Sequence, residues 1–144
     1  MIVGVSFPIP KRFAQRFFEG KTVFVKPATT FKELKAGMRF VIYQSREDTG
    51  FIGEGKIKQI VFADDPMKFY EIFGDKIFLS KEEMRDYIKS QERWDKAKRL
   101  KGKRNKKKWM AIELEEIKRY PKTLKPPSYI PVGGMYLTEK DLKV

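Results

Sequence analysis

A chain of 144 residues with 41% hydrophobic residues holds enough apolar material for one domain with one core. Its 32 Lys and Arg against 19 Asp and Glu leave a net charge of +13, which favours a polyanionic partner. Neither Cys nor His occurs, so disulfides, thiol nucleophiles, Ser-His-Asp catalysis, zinc fingers and iron–sulfur ligation are excluded.

In chain order, residues 1–7 form a short apolar run that predicts a buried strand, stopped by Pro8 and Pro10. Pro10 suits the first turn of a helix and Gly20 the position just past its end. Between them Ile9, Phe13 and Phe17 recur every four residues and make an apolar face, with Lys11, Arg12, Gln15 and Arg16 on the other side. Residues 22–26 return to strand character, and 27–35 are a connection. Residues 38–44 alternate and are β-rich, 45–50 make a turn, and 51–63 form a long strand in which Gly53 and Gly55 mark a bulge or a close backbone approach. The two long strands should pair as an antiparallel hairpin.

Asp65-Pro66 reads as a helix cap followed by a first-turn proline, and Gly74 ends that short helix. Residues 77–79 suggest a brief strand. Ser80 and Glu83 have capping-box spacing and open a helix with Met84, Tyr87, Ile88, Gln91 and Trp94 on one stripe. Residues 109–114 alternate as a strand, 121–131 are Pro-rich and irregular, and Gly133-Gly134 turns into a strand at 135–137. Thr138 and Asp141 cap a last short helix. The order β-α-β-β-β-α-β-α-β-β-α lacks regular strand–helix alternation, so the class is α+β.

The charge is uneven. Residues 93–108 hold ten Lys or Arg and one Asp, a net of +9, leaving +4 for the remainder. Like charges at this density repel, and Gly102 interrupts any helix. A frayed helix end and a mobile basic insertion at about 95–108 are expected, either as a solvated linker or as a phosphate-binding segment through Lys103, Arg104, Lys106, Lys107 and Lys108. No run of 18 apolar residues exists and the N-terminus lacks the leading charge of a signal peptide, so a cytoplasmic protein without a membrane span is expected. One Asn and four Gln against 23 Lys and 12 Glu is the thermophilic bias.

Three stretches together carry a family likeness: Phe17-Phe-Glu-Gly-Lys-Thr-Val-Phe-Val-Lys26, Leu34-Lys-Ala-Gly-Met-Arg-Phe-Val-Ile-Tyr43 and Gly50-Phe-Ile-Gly-Glu-Gly-Lys-Ile57. The pattern resembles the ASCH domain of the PUA-like superfamily and, within it, an archaeal family of uncharacterised proteins. The likeness implies one PUA-like domain over 1–144, a curled, mostly antiparallel β-barrel with peripheral helices. It also implies a cleft near Gly20-Lys21-Thr22 that takes a base or nucleotide. Some ASCH proteins are amidohydrolases on acylated pyrimidine nucleosides, using the Lys of this turn and a Thr two residues past the motif's own Thr. Lys21 matches the Lys, but Phe24 stands at the Thr position and offers no hydroxyl, which argues against that chemistry. Asp64-Asp65 is a possible carboxylate pair for a metal, but reads better as a cap.

The binding residues expected are therefore Lys11 and Arg12 on the first helix, Lys21, Thr22 and Lys26 at the following turn and strand, and Tyr43-Gln44-Ser45 at a strand end. Tyr43 either packs in the sheet or stacks on a base, Trp94 continues a helix stripe, and Trp109 either packs or lines the cleft. The reading is an RNA-binding domain, with tRNA, rRNA or a modified nucleotide as ligand, no cofactor and no catalytic step. Its alternatives are an amidohydrolase-like enzyme on a modified nucleoside and a basic module of an RNA-processing assembly.

Overall fold

The computed structural model describes residues 2–28, 33–99, 108–126, 130–131 and 133–142. The first strand, β1 (Ile2–Pro10), runs through both of its prolines rather than stopping at them. It pairs in parallel with β3 (Arg39–Ser45) along its length and antiparallel with β6 (Met135–Thr138) only from Ile2 to Ser6. Pro8 and Pro10 lie past the reach of β6, where a missing N–H breaks no ladder. The helix that follows is shorter than its apolar spacing suggests. One α-turn, α1 (Lys11–Ala14), tightens at once into a 3-10 turn, Gln15–Phe18, and Ile9 reaches the core from β1 instead.

Strands β2 (Val23–Pro27), β3 and β4 (Gly50–Ala63) fall where their alternation places them, and β3 and β4 form the antiparallel hairpin. Residues 77–79 are no strand: a single parallel bridge joins Ile77 to Val23. Asp65 accepts the Met67 N–H at 3.0 Å, so it caps the turn Pro66–Lys68 that leads into α2 (Phe69–Phe73). The capping box is made in both directions: the Ser80 N–H donates to Glu83 Oε1 at 2.8 Å and the Glu83 N–H to Ser80 Oγ at 3.1 Å. The helix it opens, α3, is Lys81–Arg99, so the first residues of the basic stretch continue a helix, and 100–107 lie outside the described residues. The last strand before β6, β5 (Trp109–Leu124), extends ten residues past its expected end at 114 and carries Pro121 inside it.

These strands make one mixed sheet of six among the described residues, ordered β2-β5-β4-β3-β1-β6, with β1–β3 its parallel pair. The class is α+β, but the barrel is not closed. Closure requires β2 to pair with β6. Instead the outer edge of β2 is met by the loop after α2, through Thr22 N–H to the Lys76 carbonyl and Phe78 N–H to the Val23 carbonyl, each 2.9 Å. Aromatic rings fill the main core: Phe24 lies 5.6 Å from Phe7, 5.5 Å from Phe40 and 5.1 Å from Phe78 between ring centroids. A smaller cluster, Val41, Tyr43, Phe51, Ile130 and Leu137, covers the other face of β3. Burial on both faces explains why β3 reads as a nearly continuous apolar run. No helix among the described residues is long and apolar enough to cross a membrane.

Candidate nucleic-acid interface

The site begins as a register fault. Phe51 of β4 pairs with Leu124 of β5, yet Gly53 pairs with Arg119, so Ile52 alone stands opposite residues 120–123. The surplus of β5 is pushed out of the ladder, and Pro121 sits where the hydrogen bonding is already interrupted. Two glycines permit the close approach. A Cβ on Gly53 would stand 2.5 Å from the Lys118 carbonyl oxygen and 2.6 Å from Phe18 Cζ; one on Gly50 would stand 2.5 Å from Thr123 Cγ2. Between the bulge, α1 and the end of β3 lies a cleft of about 560 Å³, with Ile52 in its lining.

A chain of side-chain amides crosses this cleft. Arg119 Nη2 donates to Gln15 Oε1 at 2.9 Å, Gln15 Nε2 to Gln44 Oε1 at 2.6 Å, and Gln44 Nε2 to the Asp48 carbonyl at 2.9 Å. Gln44 is 2% exposed, and burial of its amide is tolerated because both ends are bonded. Arg119 also lies over the Phe18 ring, 4.3 Å from its centroid. Around the rim, Lys11 is bonded to the Asp48 carboxylate, which raises the lysine's pKa and lowers the aspartate's. Lys125 donates to the Thr49 carbonyl. Tyr120 donates to Glu54 Oε1 at 2.9 Å, and Glu54 also holds Arg39 Nε at 3.2 Å. Burial first, and Glu54 second, push the Tyr120 phenol up. The lining thus sets four cations, Lys11, Arg119, Lys122 and Lys125, against one carboxylate, Asp48.

The opposite side of the first helical turns is built differently. Arg16 makes a two-pronged pair with Glu83 at 2.6 and 2.9 Å and donates to the Phe78 carbonyl at 2.9 Å; Arg12 adds a 2.8 Å bond to the same carboxylate. Glu83 is held down at about 2, by Arg16 above all and by Ser80 in support. Lys21 donates to the Asp75 carbonyl, and its backbone N–H closes on the Arg16 carbonyl at 3.2 Å.

Of the residues expected to bind, Lys11 and Gln44 line the cleft. Ser45 ends β3, half-buried. Lys21 and Thr22 are not in the lining: the Lys21 ammonium bonds to the Asp75 carbonyl and the Thr22 backbone N–H to the Lys76 carbonyl. Arg12 faces α3. Lys26 lies over the Phe7 ring, 4.9 Å from its centroid. Tyr43 packs edge-on against Phe51 in the smaller core cluster. Trp109 does not line the cleft: it is 7% exposed and meets Tyr87 of α3 edge-on at 5.2 Å, because β5 is covered on both faces there. Lys108 is exposed, while Lys103, Arg104, Lys106 and Lys107 lie outside the described residues, as does the Trp94 side chain. Gln15, Arg119, Lys122 and Lys125 also line the cleft and were not among the expected residues. The signal for the last three was Pro121, a proline in a β-rich run that marks a bulge.

A family model described as "Domain of unknown function (DUF365)" matches residues 2–139. An uncharacterised protein of Methanocaldococcus jannaschii is 40% identical over 105 residues, covering 72% of this chain and 93% of that protein. Among solved structures, ASCH from Zymomonas mobilis superposes with a TM-score of 0.72 at 20% identity, over 98% of this chain and 92% of that one. A mutant form of the same Zymomonas protein gives 0.74 at 17% identity, over 98% and 94%. At such identities the likeness is one of fold.

Proposed function

The chain belongs to the DUF365 family and has an ASCH-like fold, and on that premise we propose that it binds RNA, without a catalytic step, through the cleft at the β4–β5 bulge. The observation that carries the reading is the lining: four cationic side chains around a floor of hydrogen-bonding amides, with the one carboxylate already engaged by Lys11. Cations hold phosphates and amides address base edges. The basic stretch 93–108 leads into β5, and its charge suits further, sequence-independent phosphate contacts. The PUA-like likeness favours RNA over DNA, which charge alone does not separate. The amidohydrolase alternative draws no support, since Phe24 carries no hydroxyl and is packed, 5% exposed, in the aromatic core.

The test is a titration with single-stranded RNA at several salt concentrations. The intact protein should lose affinity as salt rises, by about 0.7 in log affinity per log salt for each phosphate contact. Replacing residues 96–107 by a Gly/Ser linker of equal length should reduce that slope by about 2 to 3.5, if roughly three to five contacts are lost. Absence of RNA binding at low salt would end the reading.

A further inference from the structure

Two arginines near the first helical turns are held in opposite ways. Arg16 directs its guanidinium at Glu83 and the Phe78 carbonyl, so a carboxylate matches its charge. Arg119 is held by neutral groups instead. Its backbone is in register with Gly53 of β4. Its guanidinium lies over the Phe18 ring, 4.3 Å from the centroid, and Nη2 donates to Gln15 Oε1 at 2.9 Å. Gln15 is itself oriented from behind. The Asp48 carbonyl only accepts, so Gln44 turns Nε2 toward it and its oxygen toward Gln15 Nε2, at 2.6 Å. The Gln15 oxygen is thereby aimed at Arg119. Among the described residues no carboxylate bonds Arg119. The outcome is an exposed guanidinium with a fixed position, an unmatched charge and further N–H groups to give.

We infer that Arg119 is the anchor of the cleft and grips an RNA phosphate with two parallel N–H···O bonds, while Gln15 and Phe18 are positioning residues that act through it. The inference rests on the RNA-binding reading and deepens it. A planar guanidinium matches two phosphate oxygens at once, where a lysine supplies only a point charge. Ordering a long side chain opposes binding, and here that cost is already met in folding. Lys122 and Lys125 line the same cleft and surround the phosphate with further charge. The one carboxylate in the lining, Asp48, is bonded by Lys11, which offsets its repulsion of the ligand. Guanine offers a guanidinium a similar pair of acceptors, O6 and N7. A base, however, needs a ring face to lie on. Among the described residues Tyr120 is the one aromatic side chain of the lining, and the Phe18 ring beside it is already covered by Arg119.

The experiment titrates the intact protein and its variants with oligouridylate by fluorescence anisotropy at several salt concentrations, and repeats each titration with an equally long oligomer that contains guanine. Arg119→Lys keeps the charge and loses the fork. It should weaken both oligomers equally, by roughly tenfold, the low end for a charge-assisted hydrogen bond, with the salt slope unchanged. Arg119 is exposed, so this variant should melt with the intact protein. Arg119→Ala should in addition lower the slope by about 0.7. Gln15→Ala should weaken binding about threefold on its own and add nothing in the Arg119→Lys background, because residues that act through one group are not additive. Unchanged oligouridylate affinity in Arg119→Lys, a loss confined to the guanine-containing oligomer, or a Gln15→Ala loss undiminished in the Arg119→Lys background overturns the inference and leaves RNA binding standing. Failure of the intact protein to bind either oligomer at low salt overturns the RNA reading with it.

Discussion

Residues 11–22 face two polar neighbourhoods that contrast in what their polar groups are doing. On one side Arg16, Lys21 and Glu83 direct nearly every strong bond at another piece of the fold: a helix cap, the Phe78 carbonyl, the Asp75 carbonyl. On the other side Gln15, Gln44 and Arg119 bond to one another and still border an open cleft with spare donors. Charge density alone does not distinguish the two. What distinguishes them is whether the polar groups are directed at the fold or border open space, and that makes one side a clamp and the other a candidate site.

The strongest way to break the contrast is to close the cleft from beneath. Gly53→Ala drives a methyl group into the Lys118 carbonyl and the Phe18 ring, the ring that carries Arg119. It should cost about 1–3 kcal/mol, as overpacking does, and abolish RNA binding. Thermal melting and anisotropy check both, and an unchanged melting temperature would show that β5 does not approach β4 there.

The clamp is broken by Glu83→Gln, expected to cost about 2 kcal/mol at neutral pH. The sign follows from a folded pKa near 2 against an ordinary 4.5. A depressed carboxylate stabilises the fold above the unfolded value and loses that contribution as pH falls from about 4.5 toward 2. Urea unfolding across that range should show the intact protein losing stability where Glu83→Gln stays comparatively flat, and RNA affinity at pH 7 should be unchanged.

A smaller effect sharpens the site. Lys122→Ala with Lys125→Ala should lower the slope of log affinity against log salt by about 1.4, two contacts at roughly 0.7 each, with melting unaffected. The smallest effect is expected at Lys21→Ala: about 0.5 kcal/mol of stability and no change in RNA affinity. A clear loss of affinity there would return the ligand to the Gly20-Lys21-Thr22 turn.

The features legible in the sequence are those set by neighbours in the chain. The hairpin of β3 and β4, the Asp65 cap and the Ser80–Glu83 box are local, and all three are present. Long-range register is not set by neighbours. Trp109 and Met110 point to opposite faces, and nothing local says that α3 buries one while the aromatic core buries the other. Closure of the sheet likewise depends on how two distant edges meet, and the loop at 76–78 reaches β2 first. Lys11 and Gln44 were recognisable as polar groups near a strand end. Their partners Gln15 and Arg119 were not, because 104 residues separate those two in the chain and the bulge at 120–123 brings them together.

That bulge separates what the domain can vary from what it must keep. A sheet strand tolerates no slip, since one added residue turns every later side chain to the wrong face. Residues 120–123 stand outside the ladder, between fixed pairings at Arg119 and Leu124. Substitution, or even a change of length, within those four positions reshapes the cleft wall while β5 keeps its alignment on both sides. The shape of the cleft wall is thereby uncoupled from the register that holds β5 in the sheet.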